Sequence, residues 1–514
     1  VTRRNHGGSP FGFSEALMRV LLVHPSPLLY NEIYLRLEPL GLERVAAALR
    51  DANHEVRIID LQIFTHSELM RELNEFKPRA VGFSLNYLAN VPELLDLAKE
   101  IKRRASDCFI FAGGHSASFI ATELLAHSEG AIDCVVRGEG EVLAQELLNA
   151  IGARDLSNLA GIVTLDGSGP PPTLLPDIDR FPAARDLTRH RHKYFISMFD
   201  PCATIEFTRG CPWDCSFCSA WTFYGRSYRQ SSPDFAARDL ESIKEPNVFI
   251  VDDVAFIHAD HGMAIAREIE RRKIRKHYYL ETRADVLCRN HEVFEYWRRL
   301  GLEMMFIGIE AMDEETLKLH RKRSSLDINN QALQIARKFG IIVAINMIVD
   351  PSWDHQRFAA VREWAMSINE VVNLTVATPY PGTETWLTES RKLTSLDYRL
   401  FDIQHAVLPT RLPLREFYRE LVKTQSVLNR KHLGLRGLWR AGSRAAWLVA
   451  KGQTNFLRML WKFNQVYSHE RQYNDHFRPV KYSMTPPQRH SSSRPKNDQL
   501  YVHNPRPAKS IASA

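Results

Sequence analysis

Two successive series of short apolar runs alternating with amphipathic ones confine this chain to architectures built on parallel sheets. In residues 18–150, strand-like runs at Arg19–His24, Glu55–Asp60, Ala80–Ser84, Phe109–Ala112 and Cys134–Arg137 alternate with helical spacing at Leu40–Ala52, Ser67–Glu75 and Val91–Arg104. Parallel neighbours need a crossover helix each, and right-handed crossovers cover both faces of the sheet, which predicts a doubly wound, Rossmann-like α/β domain. From Ala203 a second series runs through Ala203–Thr208, Val248–Val251, Tyr278–Thr282, Met304–Ile309, Val343–Ile348 and Asn373–Ala377. Helical stretches such as Asp260–Arg272, His291–Leu300, Glu314–Leu319 and Ile328–Phe339 separate them. These βα repeats predict a partial (β/α)6 barrel over 201–411. In both architectures ligands are expected at the carboxyl ends of the strands.

The rest of the chain lacks this alternation. Residues 151–200 read as a linker, with Gly/Pro-rich or polar stretches at Gly167–Pro172 and Asp177–Asp186. Residues 412–480 read as a basic, mainly helical C-terminal region, with Leu, Trp and Phe interleaved among Lys and Arg. The Pro/Ser/Arg-rich tail 481–514 and the polar leader 1–17, which opens on Val1 and precedes Met18, are expected to be disordered. No uncharged apolar run reaches the ~18 residues of a membrane-spanning helix, and no apolar signal-peptide core is present. A net charge of +7, spread over mixed-sign surface, does not make a nucleic-acid-binding face. Seven unevenly spaced cysteines do not make a disulfide framework, and a cytoplasmic location is expected.

The densest chemistry follows the first strand of the second series: Thr208-Arg-Gly-Cys-Pro-Trp-Asp-Cys-Ser-Phe-Cys. Cys211, Cys215 and Cys218 offer three soft thiolates, the ligands an iron–sulfur cluster requires. A fully liganded [4Fe–4S] cluster or a structural zinc takes four protein ligands, and Cys202 is the nearest spare. Three thiolates leave one iron open to a small molecule. The competing readings are a zinc site and an incidental grouping.

This motif resembles the radical S-adenosylmethionine (SAM) superfamily. The resemblance implies that the open iron chelates the amino and carboxylate groups of SAM and that Phe217 lies near the adenine. It implies further contacts at successive strand ends: Asp252 and Asp253, Arg283 pairing with the methionine carboxylate, and Glu310 accepting from the amino group or ribose. The loop Pro379–Thr383 would close on the adenine. Each of these alone reads equally well as an ion pair or a turn; their ordered placement is what carries weight.

A doubly wound domain placed before such a barrel resembles the cobalamin-dependent branch of the superfamily. Ser84, Leu85, Gly113, Gly114, Gly138 and Glu139 then stand where that branch contacts the corrin and its nucleotide tail, although any doubly wound domain carries glycines at its strand ends. No Gly-x-Gly-x-x-Gly loop follows the first strand, which disfavours a nicotinamide cofactor. The Asp-x-His-x-x-Gly loop that supplies a histidine to cobalt is also absent, and His24-Pro25-Ser26-Pro27 stands instead. Cobalamin is therefore expected without a protein histidine on cobalt, with His24 and His115 as weaker candidates. Trp213, Trp221, Tyr224 and Tyr380 are candidate pocket aromatics or simply core.

The implied reaction is methylation of an unactivated sp3 carbon, using methylcobalamin and a 5′-deoxyadenosyl radical, with a flavodoxin- or ferredoxin-type electron donor. No side chain is singled out as the catalytic group. The stretches Tyr30–Val45, Asn373–Trp386 and Gly452–Asn464 resemble the hopanoid C-3 methylases, which implies ring A of a pentacyclic lipid as substrate. The basic, Trp- and Leu-containing C-terminal region fits either docking at the inner face of an anionic membrane or packing on the barrel. Two other functions stay open: a different cobalamin-dependent radical SAM reaction, such as cyclisation or oxidation of a porphyrin or natural product, and a non-catalytic iron–sulfur sensor or electron carrier.

Overall fold

The computed structural model describes residues 17–151, 156, 158–431, 435–486 and 500–503. In the first domain, β1 (Arg19–His24), β2 (Glu55–Asp60), β3 (Ala80–Ser84), β4 (Phe109–Gly113) and β5 (Cys134–Val136) form a parallel sheet in the order β2-β1-β3-β4-β5. Val20 to Val23 are completely buried, because helices cover both faces and leave no solvent side to alternate with. The helix His66–Phe76 opens on a capping box between Thr65 and Glu68, and Val91–Arg104 carries proline in its first turn. Chain order reverses between β1 and β3, so their loops diverge and leave a crevice at the carboxyl edge.

The segment expected as a linker is built into the structure. Ile162–Val163 (β6) extends the sheet antiparallel to β5. Arg185 is buried and bonds Glu38 at 2.8 Å and Asp239 at 3.1–3.2 Å, with Glu43 at 3.8 Å. Glu38 also accepts the backbone N–H of Thr204, the third residue of the barrel's first strand, at 2.9 Å. Burial alone would raise the Glu38 pKa, but Arg185 and Arg191 outweigh it and hold it down to about 2. The Gly and Pro signals mark turns in a clamp between domains, with no free tether among its described residues.

The barrel strands are β7 (Cys202–Ile205), β8 (Asn247–Ile250), β9 (His277–Thr282), β10 (Leu302–Glu310), β11 (Ile342–Val349) and β12 (Val371–Val376), all parallel and adjacent in chain order. The run expected as Ala203–Thr208 stops at Ile205, and Thr208–Arg209 pairs separately with Arg229–Gln230. Alternation sorts each strand: Val248, Ile250, Tyr278 and Leu280 pack outward beneath helices around Trp297. Phe249, Tyr279, Met304 and Ala344 turn inward and, with Cys202, Phe199 and Leu35, fill the barrel floor.

The C-terminal region is helical as expected: Leu414–Arg430, Leu435–Ala450, Asn455–Val466 and His469–Asp475. His405 joins it to the barrel, buried with Nδ1 3.0 Å from Asp402 and Nε2 3.4 Å from Asp475. The rings of Tyr30, Tyr418 and His476 enclose it at 5.6–6.1 Å. Burial favours neutral imidazole, but the two carboxylates prevail and raise its pKa to about 9.

The tail departs from the disorder expected of it. Tyr482 and Met484 enter the core of the first domain, and Leu500, Val502 and His503 are buried. The Val502 N–H donates to the Thr222 carbonyl at 3.1 Å, and His503 Nδ1 lies 3.0 Å from the Pro172 carbonyl. Its polar composition hid isolated apolar residues that find docking sites. Residues 1–16 of the expected leader and the other tail residues lie outside the described residues.

Arg185→Ala leaves buried Asp239 without its cation and Glu38 with Arg191 alone, so it should cost about 3–5 kcal/mol in denaturant unfolding. His405 contributes stability that is fully present below about pH 6.5 and fades as pH rises through about 9. The stability gap between wild type and His405→Gln should therefore close between pH 7 and pH 10, as read from urea midpoints.

Candidate active site

The cysteine loop leaves the barrel at the end of β7 and is pinned on several sides. Asp252, at the end of β8, accepts the N–H groups of Phe207 and Thr208 at 2.7 and 3.0 Å and the Thr208 hydroxyl at 2.7 Å. Burial raises its pKa to about 7. Asp253 accepts the Gly210 N–H at 3.0 Å, and Gly210 has φ +97° with the Ser227 carbonyl where a Cβ would sit. The Trp221 indole donates to the Cys215 carbonyl at 2.9 Å, and the Ser216 N–H to the His320 carbonyl at 3.1 Å. Asp252, expected at SAM, thus has its carboxylate committed to the loop.

The three thiols fit a cluster by donor chemistry and by their surroundings. Arg283 Nη1 lies 3.8 Å from Cys215 Sγ, and the Ala220 N–H points at Cys218 Sγ at 3.5 Å. Burial pushes the Cys218 thiol up to about 12 and raises Cys211 as well, so iron must displace these protons. Among the described residues no His, Cys, Asp or Glu group converges closely enough to hold one metal ion. Thiolates that each take a different iron of a cluster stand further apart than that. Cys202, the spare expected near the triplet, lies on the barrel floor at the opposite end of β7.

Above that floor the inward positions turn polar. Glu206, Asp253, Glu281, Glu310 and Asn346 ring the barrel mouth. Glu310 follows a register shift in β10 and has φ +67°, a bulge that re-aims its side chain. It accepts from Lys322 Nζ at 2.9 Å and Asn346 Nδ2 at 3.2 Å. A side chain at Gly308 would overlap both the Glu310 carboxylate and the Lys322 ammonium. Asp253 is open to the mouth yet enclosed elsewhere, and burial, then Glu206, raises it to about 6. Burial, then Asp253 and Glu310, raises Glu281 to about 7. Arg283 spends its fork on Asp285 at 2.8 Å, on the Lys322 carbonyl and on Cys215, and it stacks 4.4 Å over Trp213. Phe217 meets His320 edge-on at 5.3 Å, with Lys322 at 6.0 Å from its ring.

Arg209, two residues before Cys211, plugs into the first domain. It reaches Glu139 and Glu141 at 2.9 Å and Glu206 at 2.8 Å, and Arg229 grips Glu139 with two 2.8 Å bonds. Burial would raise the Glu139 pKa, but the two guanidiniums hold it down to about 2. The Glu139 carboxylate, expected at the corrin, is consumed by this clamp.

A cavity of about 380 Å3 opens beside the clamp, across the carboxyl edge of the first sheet. Ser84, Gly113, Gly114 and Gly138 line it from the first domain, and Tyr224 from the cysteine loop. Leu85 is buried instead: its N–H donates to Gly113 and its carbonyl accepts from Ser116, so it knits two loops together. Gly114, at φ +102°, lies against Leu85 and Asn86 where a Cβ would clash. His24 lines the cavity with Nδ1 buried and without a hydrogen-bond partner. His115 is spoken for: Nε2 lies 2.7 Å from the Ser219 hydroxyl, the ring stacks on Phe223 at 4.8 Å, and burial lowers its pKa to about 4. The glycine-lined edge and the unsatisfied His24 nitrogen suit a large, flat, polar-rimmed ligand.

A second cavity of about 230 Å3 shares Leu28, Asn31, Tyr87 and His115 with the first and adds Phe119, Tyr380 and Ile403. Of the candidate aromatics, Tyr224 and Tyr380 face cavities, whereas Trp221 is buried beneath the loop and Trp213 lies under Arg283. Sequence reading missed Tyr87, Glu281, Lys322, Asn346 and Arg209. Strand alternation past Tyr279 flags Glu281; nothing local flags Lys322. Alanine at Cys211, Cys215 or Cys218 should abolish bound iron and sulfide after anaerobic reconstitution, while Cys202→Ala should retain the wild-type content.

A B12 binding domain model matches residues 28–148, and a radical SAM superfamily model matches residues 205–365. Over 500 residues the chain is 57% identical to a hopanoid C-3 methylase from Methylococcus capsulatus, covering 96% of each protein. In fold it is similar to the radical SAM methyltransferase TsrM from Kitasatospora setae, solved with cobalamin and a [4Fe–4S] cluster, at TM-score 0.59 and 18% identity over 74% of this chain and 76% of that one. It is also similar to the cobalamin-dependent SAM radical enzyme OxsB, at TM-score 0.58 and 20% identity over 67% of this chain and 51% of that one. With the two domain types in this order and near-full-length identity, the chain belongs to the family of cobalamin-dependent radical SAM methyltransferases that includes hopanoid C-3 methylase.

Proposed function

We propose that this enzyme methylates C-3 in ring A of a hopanoid. The observation that carries the proposal is the 57% identity to hopanoid C-3 methylase over 96% of both chains. The second cavity supports it, since Leu28, Leu88, Phe119, Pro381 and Ile403 give a pentacyclic hydrocarbon apolar walls beside the larger cavity. When bound, the cluster supplies the electron that cleaves SAM, and cobalamin carries the methyl group.

Around these groups the chain binds, orients and excludes water. Cys211, Cys215 and Cys218 hold the cluster, and Arg283 points a charge at Cys215 and braces the loop. Glu310 and Asn346, with Asp253 and Glu281, present acceptors to the amino and ribose groups of SAM, and Phe217 flanks the adenine. Ser84, Gly113, Gly114 and Gly138 receive the corrin, while Leu85, Asp252 and Glu139 hold these elements in place. Tyr87 stands where the two cavities meet, and burial, then the Glu281 charge, raises its hydroxyl pKa. The apolar walls keep water from a carbon radical. A flavodoxin- or ferredoxin-type donor is the electron source.

Anaerobic incubation of reconstituted enzyme with a hopanoid, SAM, cobalamin and a reductant should yield 5′-deoxyadenosine and a hopanoid heavier by one CH2. Deleting the gene in a producing bacterium should remove 3-methylhopanoids. Their persistence would sink the substrate assignment.

A further inference from the structure

Between Leu435 and Val466 the chain has six Lys or Arg residues (Arg436, Arg440, Arg444, Lys451, Arg458, Lys462) and no Asp or Glu. These residues form a hairpin of two helices, Leu435–Ala450 and Asn455–Val466. One side is satisfied internally, where Ala445, Leu448 and Phe456 pack together against Met459. Away from that packing, Trp461 is 66% exposed, Leu457 44% and Trp447 45%. Leu457 and Trp461 are one turn apart and share a helix face. Lys451 lies at the hairpin bend, its ammonium 3.8 Å above the Trp447 ring. Indoles and leucines beside cations, on helices that contain no acidic residue of their own, are the composition of a helix lying in a bilayer interface. Among the described residues no helix is long and apolar enough to cross a membrane.

The hairpin is fixed against the stretch of chain that lines both cavities. Val466 and Tyr467 pack on Tyr30 and Ile33, and Lys462 and Arg458 pair with Glu32. Leu28 and Asn31, on that same stretch of chain, line both cavities.

We propose that this hairpin lies flat on an anionic bilayer, with Trp461 and Leu457 inserted at the interface. Docking there sets the cavity mouth against the membrane, so that a lipid passes into the protein without crossing water; this second half rests on the hopanoid assignment. A second copy of the chain is disfavoured as occupant, because its hairpin brings the same excess of Lys and Arg over Asp and Glu.

The test uses the full chain and vesicles of phosphatidylcholine with or without phosphatidylglycerol. Flotation should recover the protein with the anionic vesicles only, and rising salt should release it. Trp461→Ser with Leu457→Ser, and separately Lys451→Glu, should weaken vesicle binding by about tenfold. Methylation of detergent-dispersed hopanoid by these variants should stay at the wild-type rate, while methylation of hopanoid in vesicles should fall. Equal vesicle binding by the variants, no binding by wild type, or a dimer that the variants dissolve would overturn the docking surface. Vesicle binding as expected with no hopanoid turnover in either format would leave the docking surface standing and remove the substrate assignment.

Discussion

The buried contact of Arg209 with Glu139 is the point on which the two halves of this enzyme are registered. A guanidinium and a carboxylate withdrawn from water cost several kcal/mol each unless their partners are in place. The only arrangement that satisfies Arg209, Arg229, Glu139, Glu141 and Glu206 together is the docked one. Arg209 is two residues from the first cluster cysteine, and Glu139 sits on a strand-end loop beside the cavity of the first domain. One ion cluster therefore fixes the cysteine loop relative to the carboxyl edge of the first sheet. The Arg185 cluster does the same lower down, and His115 on Ser219 closes the gap between them.

The barrel interior is layered by the same logic. Apolar inward residues close its floor, with Leu35 and Leu37 of the first domain helping to fill it. Further along the strands the lining changes to carboxylates and amides, directly after Tyr279 and Ala344 at Glu281 and Asn346 and beyond Val251 and Phe306 at Asp253 and Glu310, with Lys322 and Arg283 beside them. A sulfonium with an amino acid head group needs such a polar ring, and the radical made from it needs the dry walls next door. On β9 and β11 the change happens over one step of the strand repeat, which brings the two environments within a few ångströms of each other.

Most of the fold was legible because strand patterning is a local signal. The termini of β1, β2 and β3 fall where apolar runs end, and the order of the barrel strands follows from short right-handed connections. The cysteine triplet stands out as a motif because its three thiols lie within eight residues. What escaped was non-local. Glu139 and Asp252 sit at the expected strand ends, yet their carboxylates are claimed by partners 70 and 44 residues away in the chain. Arg283 likewise divides its fork among three neighbours. Composition misjudged residues 158–200 and the ordered parts of the tail, since a few buried anchors such as Arg185, Met484 and Val502 outweigh a polar average.

The Leu500–His503 segment has a consequence for how the molecule is put together. It fills the groove between the Gly138 loop of the first domain and the Trp221–Phe223 turn beyond the cysteines, with His503 against the face of Gly138 that has no side chain. Every element it touches is translated hundreds of residues earlier. A nascent chain therefore carries the elements of both domains with this groove still open until the Leu500–His503 segment itself has been made. A tag fused just behind His503 would load that seal directly, whereas one placed before Met18 would leave it alone.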